Sequence, residues 1–231
     1  LPRRPRDGLA DGVTAGGGSV GIRVPDHPVA QPLLSAVGGP VAAPSANPSG
    51  RVSPTEAAHV LDRQTGLLGR IDAVLDGGPC PVGLESTIIG LTDGRARLLR
   101  PGGLPVEALE AALGAPLELP EALTTGPLEA PGRLASHYAP AALLRLAADA
   151  PREGEVWIGF GADPAGVVAD RCVSLSAVGD LAEAAASLFA ALRRADALAG
   201  PAGTIAVAPI PDRGLGRAIN DRLRRAAAPR P

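Results

Sequence analysis

Apolar and polar positions change rhythm several times along the chain, and each rhythm implies an element. Residues 19–24 (S-V-G-I-R-V) alternate as a strand does, entered from Gly16-Gly17-Gly18 and broken at Pro25-Asp26-His27-Pro28. A short helix is predicted over residues 29–37, ahead of Gly38-Gly39. Val41-Ala42-Ala43 reads as a second short strand running into the loop Pro44-Ser45-Ala46-Asn47-Pro48-Ser49-Gly50. Ser53-Pro54-Thr55-Glu56 reads as a helix start, with Ser53 as N-cap, Pro54 at the first helical position and Glu56 completing a capping box. That helix would turn Ala57, Val60 and Leu61 inward. Residues 71–75 are predicted as a buried strand ending at Asp76-Gly77-Gly78-Pro79. Residues 86–91 and 95–99 flank Thr92-Asp93-Gly94, a hairpin signal with Asp-Gly at its tip. Residues 105–113 then form a predicted helix closed by Gly114.

From about residue 115 to 141 Pro recurs and no period survives, the mark of a linker, although Arg133 and His137-Tyr138 are unusual contents for a spacer. Beyond it residues 143–146, 156–160 and 172–175 read as strands. Asp180 caps a helix with Leu181, Leu188, Leu192 and Ala195 on one face; residues 204–208 are strand and 216–228 helix. Strands alternating with helices predict a small α/β layer sandwich. The chain thus divides into residues 1–115, a linker over 116–141, and residues 142–231.

Composition narrows the function classes. Of 231 residues 45% are hydrophobic, enough for true cores despite 30 Gly and 25 Pro. No apolar run approaches the roughly 18 residues of a membrane span, and no secretory leader opens the chain, so a cytoplasmic protein is expected. Cys80 and Cys172 lie far apart without a CxxC, which supports neither a disulfide scaffold nor a zinc site. The 22 basic residues, all Arg, nearly balance 24 acidic ones, and Trp157, Tyr138, Phe160 and Phe189 are the only aromatics. Neither feature suits strong nucleic-acid binding.

Familiar catalytic fingerprints fail. Gly214-Leu215-Gly216 would need a third glycine at Ile219, and no P-loop occurs, so the pair reads as a tight strand-to-helix turn. His27, His59 and His137 have no nucleophile elbow to serve. The richer set is hydroxyls and arginines at strand ends. Ser19 and Arg23 share one strand face, Ser45 and Asn47 lie in a Pro-fixed loop, and Ser53 opens a helix. Ser86-Thr87 begin one hairpin strand and Arg100 follows its partner. Singly, each has an ordinary reading as cap, turn former or solvated charge. Together they suit a small anionic substrate plus a nucleotide, since arginine offers a planar fork to carboxylate or phosphate.

In order along the chain, Ser19-Val20-Gly21-Ile22-Arg23-Val24-Pro25, Ala43-Pro44-Ser45-Ala46-Asn47-Pro48-Ser49-Gly50, Glu85-Ser86-Thr87-Ile88 and Leu99-Arg100-Pro101-Gly102 resemble motifs of the YrdC-type L-threonylcarbamoyl-AMP synthase family. Pro131-Gly132-Arg133 with His137-Tyr138-Ala139-Pro140 resembles the linker of its long members. Arg193-Arg194-Ala195-Asp196 and the run from Gly214 to Leu223 resemble their Rossmann-like C-terminal domain. The resemblance spans nearly the whole chain. It implies an α/β fold: the C-terminal part of a YrdC-like twisted α/β domain, then a small Rossmann-like sandwich. The reaction it implies joins L-threonine, bicarbonate or CO2, and ATP into threonylcarbamoyl-AMP and pyrophosphate, with Mg2+ accompanying the ATP. The product would pass to a separate transferase machinery that modifies adenosine 37 of tRNAs.

By motif position the resemblance implies L-threonine contacts from Arg23, Ala43 and Ser86, and ATP contacts from Ser19, Ser45, Ser53, Arg100 and Tyr138. It implies no catalytic residue beyond these binding groups. It also implies a preceding half of the catalytic domain bearing Lys and Arg motifs. This chain holds no lysine and no methionine, so it is read as an N-terminally truncated piece of an active synthase, with the activity of the piece itself left to measurement. The competing readings are a carbamoyl-phosphate-dependent carbamoyltransferase and a non-catalytic nucleotide- or RNA-binding remnant.

Overall fold

The computed structural model describes residues 11–14, 18–91, 94–119 and 136–229. Gly16-Gly17, the hairpin tip Thr92-Asp93 and the linker motif around Arg133 lie outside the described residues. Ahead of residue 88 the described residues carry three short helices, α1 (Asp11–Thr14), α2 (Ala30–Val37) and α3 (Ala57–Val60), joined by extended and looping chain. α2 stops where Gly38 takes a left-handed conformation (φ 69°) and donates its N–H to the Leu34 carbonyl.

Three predicted strands do not form ladders. Residues 21–24, 41–43 and 71–75 join no ladder among the described residues, and Ser19 at the start of the first segment makes an isolated bridge. Apolar side chains in these segments stay exposed, Ile22 to 64% and Val24 to 84%. Alternation decides which side chains would face a core, but a strand exists only where a neighbour completes its N–H and C=O ladder. Among the described residues nothing supplies that neighbour.

The predicted capping box also differs. α3 begins at Ala57, with extended Glu56 (φ −154°, ψ 161°) at the cap position and no side-chain cap bond. Ser53 instead donates its hydroxyl proton to Glu85 Oε1 at 2.9 Å. With the helix start displaced to Ala57, Ser53 is no longer at the cap position, and its proton serves a charged acceptor instead.

The hairpin forms as predicted: β1 (Ile88–Gly90) pairs antiparallel with β2 (Arg97–Arg100), Ile88 opposite Arg100 and Gly90 opposite Arg97. α4 (Val106–Leu113) follows, closed by Gly114 at φ 67°. Leu98, Val106 and Leu117 form a small core over this hairpin.

The C-terminal part is a four-stranded parallel sheet. Its strands are β3 (Leu143–Arg145), β4 (Val156–Phe160), β5 (Cys172–Ser176) and β6 (Thr204–Val207), in the order β3-β6-β4-β5. A single 3-10 turn, Ala169–Arg171, leads into β5. Helices α5 (Leu181–Ala199) and α6 (Leu215–Ala227) follow β5 and β6. Asp180 caps α5 by accepting the Ala182 and Glu183 N–H groups, both at 2.8 Å. Val156, Ile158, Ile205 and Val207 pack with Leu188 and Leu192 of α5 and Ile219 and Leu223 of α6. The alternate residues Trp157, Ala206 and Ala208 pack on the other face. Asp196 of α5 accepts the N–H groups of Ala141 and Ala142, both at 2.8 Å, and so fixes the entry into β3.

The two parts share a core. Val52 of the first half belongs to the same buried cluster as Tyr138, Leu188 and Phe189. Arg193 of α5 donates to the carbonyl of Val52 and to Thr65 Oγ1. Gly83 lies so close to α5 that a Cβ would stand 2.4 Å from the Ala185 carbonyl oxygen, and its φ of +69° already disfavours a side chain. Gly83→Ala is therefore expected to destabilise the protein by about 1–3 kcal/mol, as overpacking does. Urea unfolding followed by Trp157 fluorescence checks this, and an unchanged midpoint would contradict it.

Candidate functional site

Where the hairpin ends, the chain crosses itself at close range. A Cβ on Gly102 would sit 2.3 Å from the Glu85 carbonyl oxygen and 2.4 Å from the Thr87 nitrogen, so residues 101–103 pass over 85–87 only with glycine there. Gly103 donates its N–H to the Glu85 carbonyl at 2.9 Å. This crossing sets Pro101 beside Glu85. Arg100, buried at the end of β2, donates from Nη2 and Nε to the Ser86 carbonyl at 2.7 and 3.3 Å.

Into this crossing reaches a residue from the far end of the chain. Arg222 of α6, fully buried, donates from Nε to Glu85 Oε2 at 2.9 Å and from Nη1 to the Pro101 carbonyl at 2.7 Å. Nη1 also meets Asp221 Oδ2 at 2.9 Å. The guanidinium carbon lies 5.5 Å from the ring centroid of Tyr138, within cation–π range. Tyr138 is 1% exposed and packs on Phe189 at 5.4 Å between centroids. Its backbone takes φ 60°, uncommon for a bulky residue, and Ala139 next to it donates to the Gly50 carbonyl at 3.0 Å. His137 stacks edgewise on Tyr138 and donates its backbone N–H to the Arg225 carbonyl at 3.2 Å.

Electrostatics follow from this packing. Burial opposes ionisation of Glu85, but the Arg222 charge and the hydrogen bonds it receives, including that of Ser53, overcome it and hold its carboxyl below the usual range. Burial likewise opposes the Arg222 charge, yet Glu85, Tyr138 and Asp221 raise its pKa. Arg100 is lowered by burial and then by the like charge of Arg222. Burial pushes the Tyr138 phenol up to about 12. His137 is lowered by burial and by Arg225, Arg222 and Arg100, against the pull of Glu85.

Of the residues singled out from sequence, Ser53, Arg100 and Tyr138 gather in this seam, and Ser86 flanks it through its carbonyl. Arg23, Ala43 and Ser45 are exposed and Ser19 half-buried, with no hydrogen bond into the seam among the described residues. Two seam residues carried no role in the sequence reading: Glu85, beside Ser86, and Arg222. The signal for Arg222 was available. It interrupts the apolar stripe Ala218, Ile219, Leu223 and Ala226 of α6, where a charge stays only if paired. A cavity of about 340 Å³ opens at the carboxyl ends of β3 and β6, lined by Leu146, Val207, Ile210, Asp212, Asn220 and Arg224 among others; it shares no residue with the seam.

These features define a two-part α/β protein in which a Rossmann-like parallel sheet and its helices dock on the base of the β1–β2 hairpin, beside Arg100 and Ser53. The family model described as "Telomere recombination" (Sua5, YciO and YrdC) matches residues 1–102, and the "Threonylcarbamoyl-AMP synthase, C-terminal domain" matches residues 104–228. The threonylcarbamoyl-AMP synthase of Bacillus subtilis is 39% identical over 100% of this chain and 69% of its own length. The synthase of Pyrococcus abyssi is 36% identical over 93% of this chain and 66% of its own. The crystal structure of P. abyssi Sua5 complexed with L-threonine superposes with a TM-score of 0.83 at 33% identity, covering 98% of this chain and 68% of that one. The chain belongs to the threonylcarbamoyl-AMP synthase family, in the form that carries the C-terminal domain. It spans about two thirds of the length of these relatives.

The Glu85 environment gives a pH dependence with a defined sign. Its carboxyl is depressed on folding from the ordinary value near about 4.3. Its contribution to stability is then complete above that value and lost as pH falls through the lower folded one. Glu85→Gln is expected to flatten the acid limb of the stability profile. Urea unfolding between about pH 2 and 6 measures this for both proteins, and parallel profiles would refute it.

Proposed function

We propose that this protein acts in the synthesis of threonylcarbamoyl-AMP, joining L-threonine, bicarbonate or CO2, and ATP with release of pyrophosphate. The observation that carries the reading is the continuous likeness, over 98% of the chain, to a relative whose structure was solved with L-threonine. In this reading the threonine carbamate attacks the α-phosphate of ATP, an O–P bond forms, and the bond to pyrophosphate breaks. Positioning and charge neutralisation supply the rate acceleration. Arg23, Ala43 and Ser86 hold L-threonine. Ser19, Ser45, Ser53, Arg100 and Tyr138 contact ATP, and the segment over 116–141 delivers Tyr138 from between parts 1–115 and 142–231.

A divalent metal fits an ATP-using synthase, and Mg2+ is the proposed ion. Among the described residues no group of three or more His, Cys, Asp or Glu side chains forms a cage. Among the described residues no helix is long and apolar enough to cross a membrane, and the proposed location is the cytoplasm. The product is proposed to pass to the machinery that completes threonylcarbamoyladenosine in tRNA.

Two measurements test the reading. Calorimetry should detect L-threonine binding in preference to D-threonine. Pyrophosphate release with ATP should require threonine and bicarbonate together. Absence of both threonine binding and threonine-dependent release, or turnover that needs carbamoyl phosphate and ignores threonine, would overturn it.

A further inference from the structure

The guanidinium of Arg222 addresses three segments of the chain at once: Glu85, the Pro101 carbonyl and the Tyr138 ring. Glu85 uses its other oxygen to take the Ser53 proton. Stability alone accounts poorly for this arrangement. A buried ion pair typically adds little over apolar filling of the same volume. Arg222 also keeps one buried donor, Nη2, without a partner among the described residues, a state that calls for another explanation. Another link between the two parts, Arg217 Nη1 to Glu107 Oε1 at 2.6 Å, shows what an ordinary docking contact looks like here: both side chains are exposed.

We propose that Arg222 is a positioning residue of the synthase site, setting the Ser53 hydroxyl through Glu85 and seating Tyr138 with its guanidinium face. The C-terminal domain thereby shapes the nucleotide pocket from behind. The inference rests on the reading of Ser53 and Tyr138 as ATP contacts. Its chemistry is specific. A serine hydroxyl has one proton, and Ser53 has committed it to an ionised carboxylate, so toward a ligand Oγ can only accept. Ser53 then suits a ribose hydroxyl or the amino group of adenine and repels a phosphate oxygen. Without Arg222 the buried Glu85 loses its counter-charge, the Ser53 proton loses its fixed direction, and Tyr138 loses one wall.

The test uses the full chain with Arg222→Met and Arg222→Lys, and Arg217→Ala as the docking control. Tyr138 is the only tyrosine, so nitration by tetranitromethane reports its seating alone. Arg217→Ala should remain as protected as the wild type. Arg222→Met should be nitrated on the order of 10-fold faster with an unchanged far-UV spectrum, and Arg222→Lys should fall between them. In pyrophosphate release Arg222→Met should lower kcat on the order of 100-fold, as small misplacements do. Adding Ser53→Ala to it should lower kcat no further, because the two act through one chain of contacts. Undiminished Tyr138 protection in Arg222→Met, or independent multiplying effects of Arg222→Met and Ser53→Ala, would overturn the proposal. Should Arg222→Met fail to fold, Arg222→Lys against wild type decides the same question. A wild type that neither binds threonine nor releases pyrophosphate would defeat the synthase reading, whereas nitration still decides the role of Arg222.

Discussion

The contact between Arg222 and Glu85 is the constraint around which the two parts are arranged. Bringing a guanidinium wholly out of water is unfavourable by several kcal/mol unless its hydrogen bonds are replaced. Here the replacements come from Glu85 and Pro101, 137 and 121 residues away along the chain. Within its own part Arg222 has Asp221 at 2.9 Å, and docking adds Glu85 and the Pro101 carbonyl. The apolar contacts around Val52 and Tyr138 close over this polar centre.

That centre explains several local choices. Gly102 is needed because the strand end must cross residues 85–87 closely enough to offer the Pro101 carbonyl. The left-handed Tyr138 is held by contacts on several sides, with Phe189 and Arg222 on its ring and Gly50 and Arg225 bonded to its neighbours. Strain of this kind persists where surrounding structure over-determines it, and such places cluster at functional sites. Arg100 and Arg222 share a small buried volume, and the carboxylates Glu85 and Asp221 offset their repulsion.

The two parts differ in completeness. The C-terminal sheet buries Ile158, Leu188, Leu192, Ile205 and Ile219 completely and caps its long helix locally. In the first half the hairpin and α4 make a small core of their own, while Ile22, Val24 and Leu75 stay in water. Arg23, Ala43 and Ser45 likewise lie exposed. The relatives are longer than this chain.

Local elements with self-contained signals were legible in the sequence: the pairing of β1 with β2, α4 with Gly114, the Asp180 cap, and the strand-helix alternation after residue 142. Each depends on propensity, turn chemistry or periodicity within a few residues. The motif order likewise sufficed to assign the family. The strands expected at 19–24, 41–43 and 71–75 formed no ladder among the described residues, because alternation specifies a face and leaves the ladder partner unspecified. Ser53 looked like a helix cap because its local sequence fits one, yet its proton goes to a carboxylate 32 residues away. Arg222 and Glu85 carried no role until the fold joined them. A buried charge pair is defined by three-dimensional proximity and by exclusion of water, and neither is written in the spacing of residues along a chain.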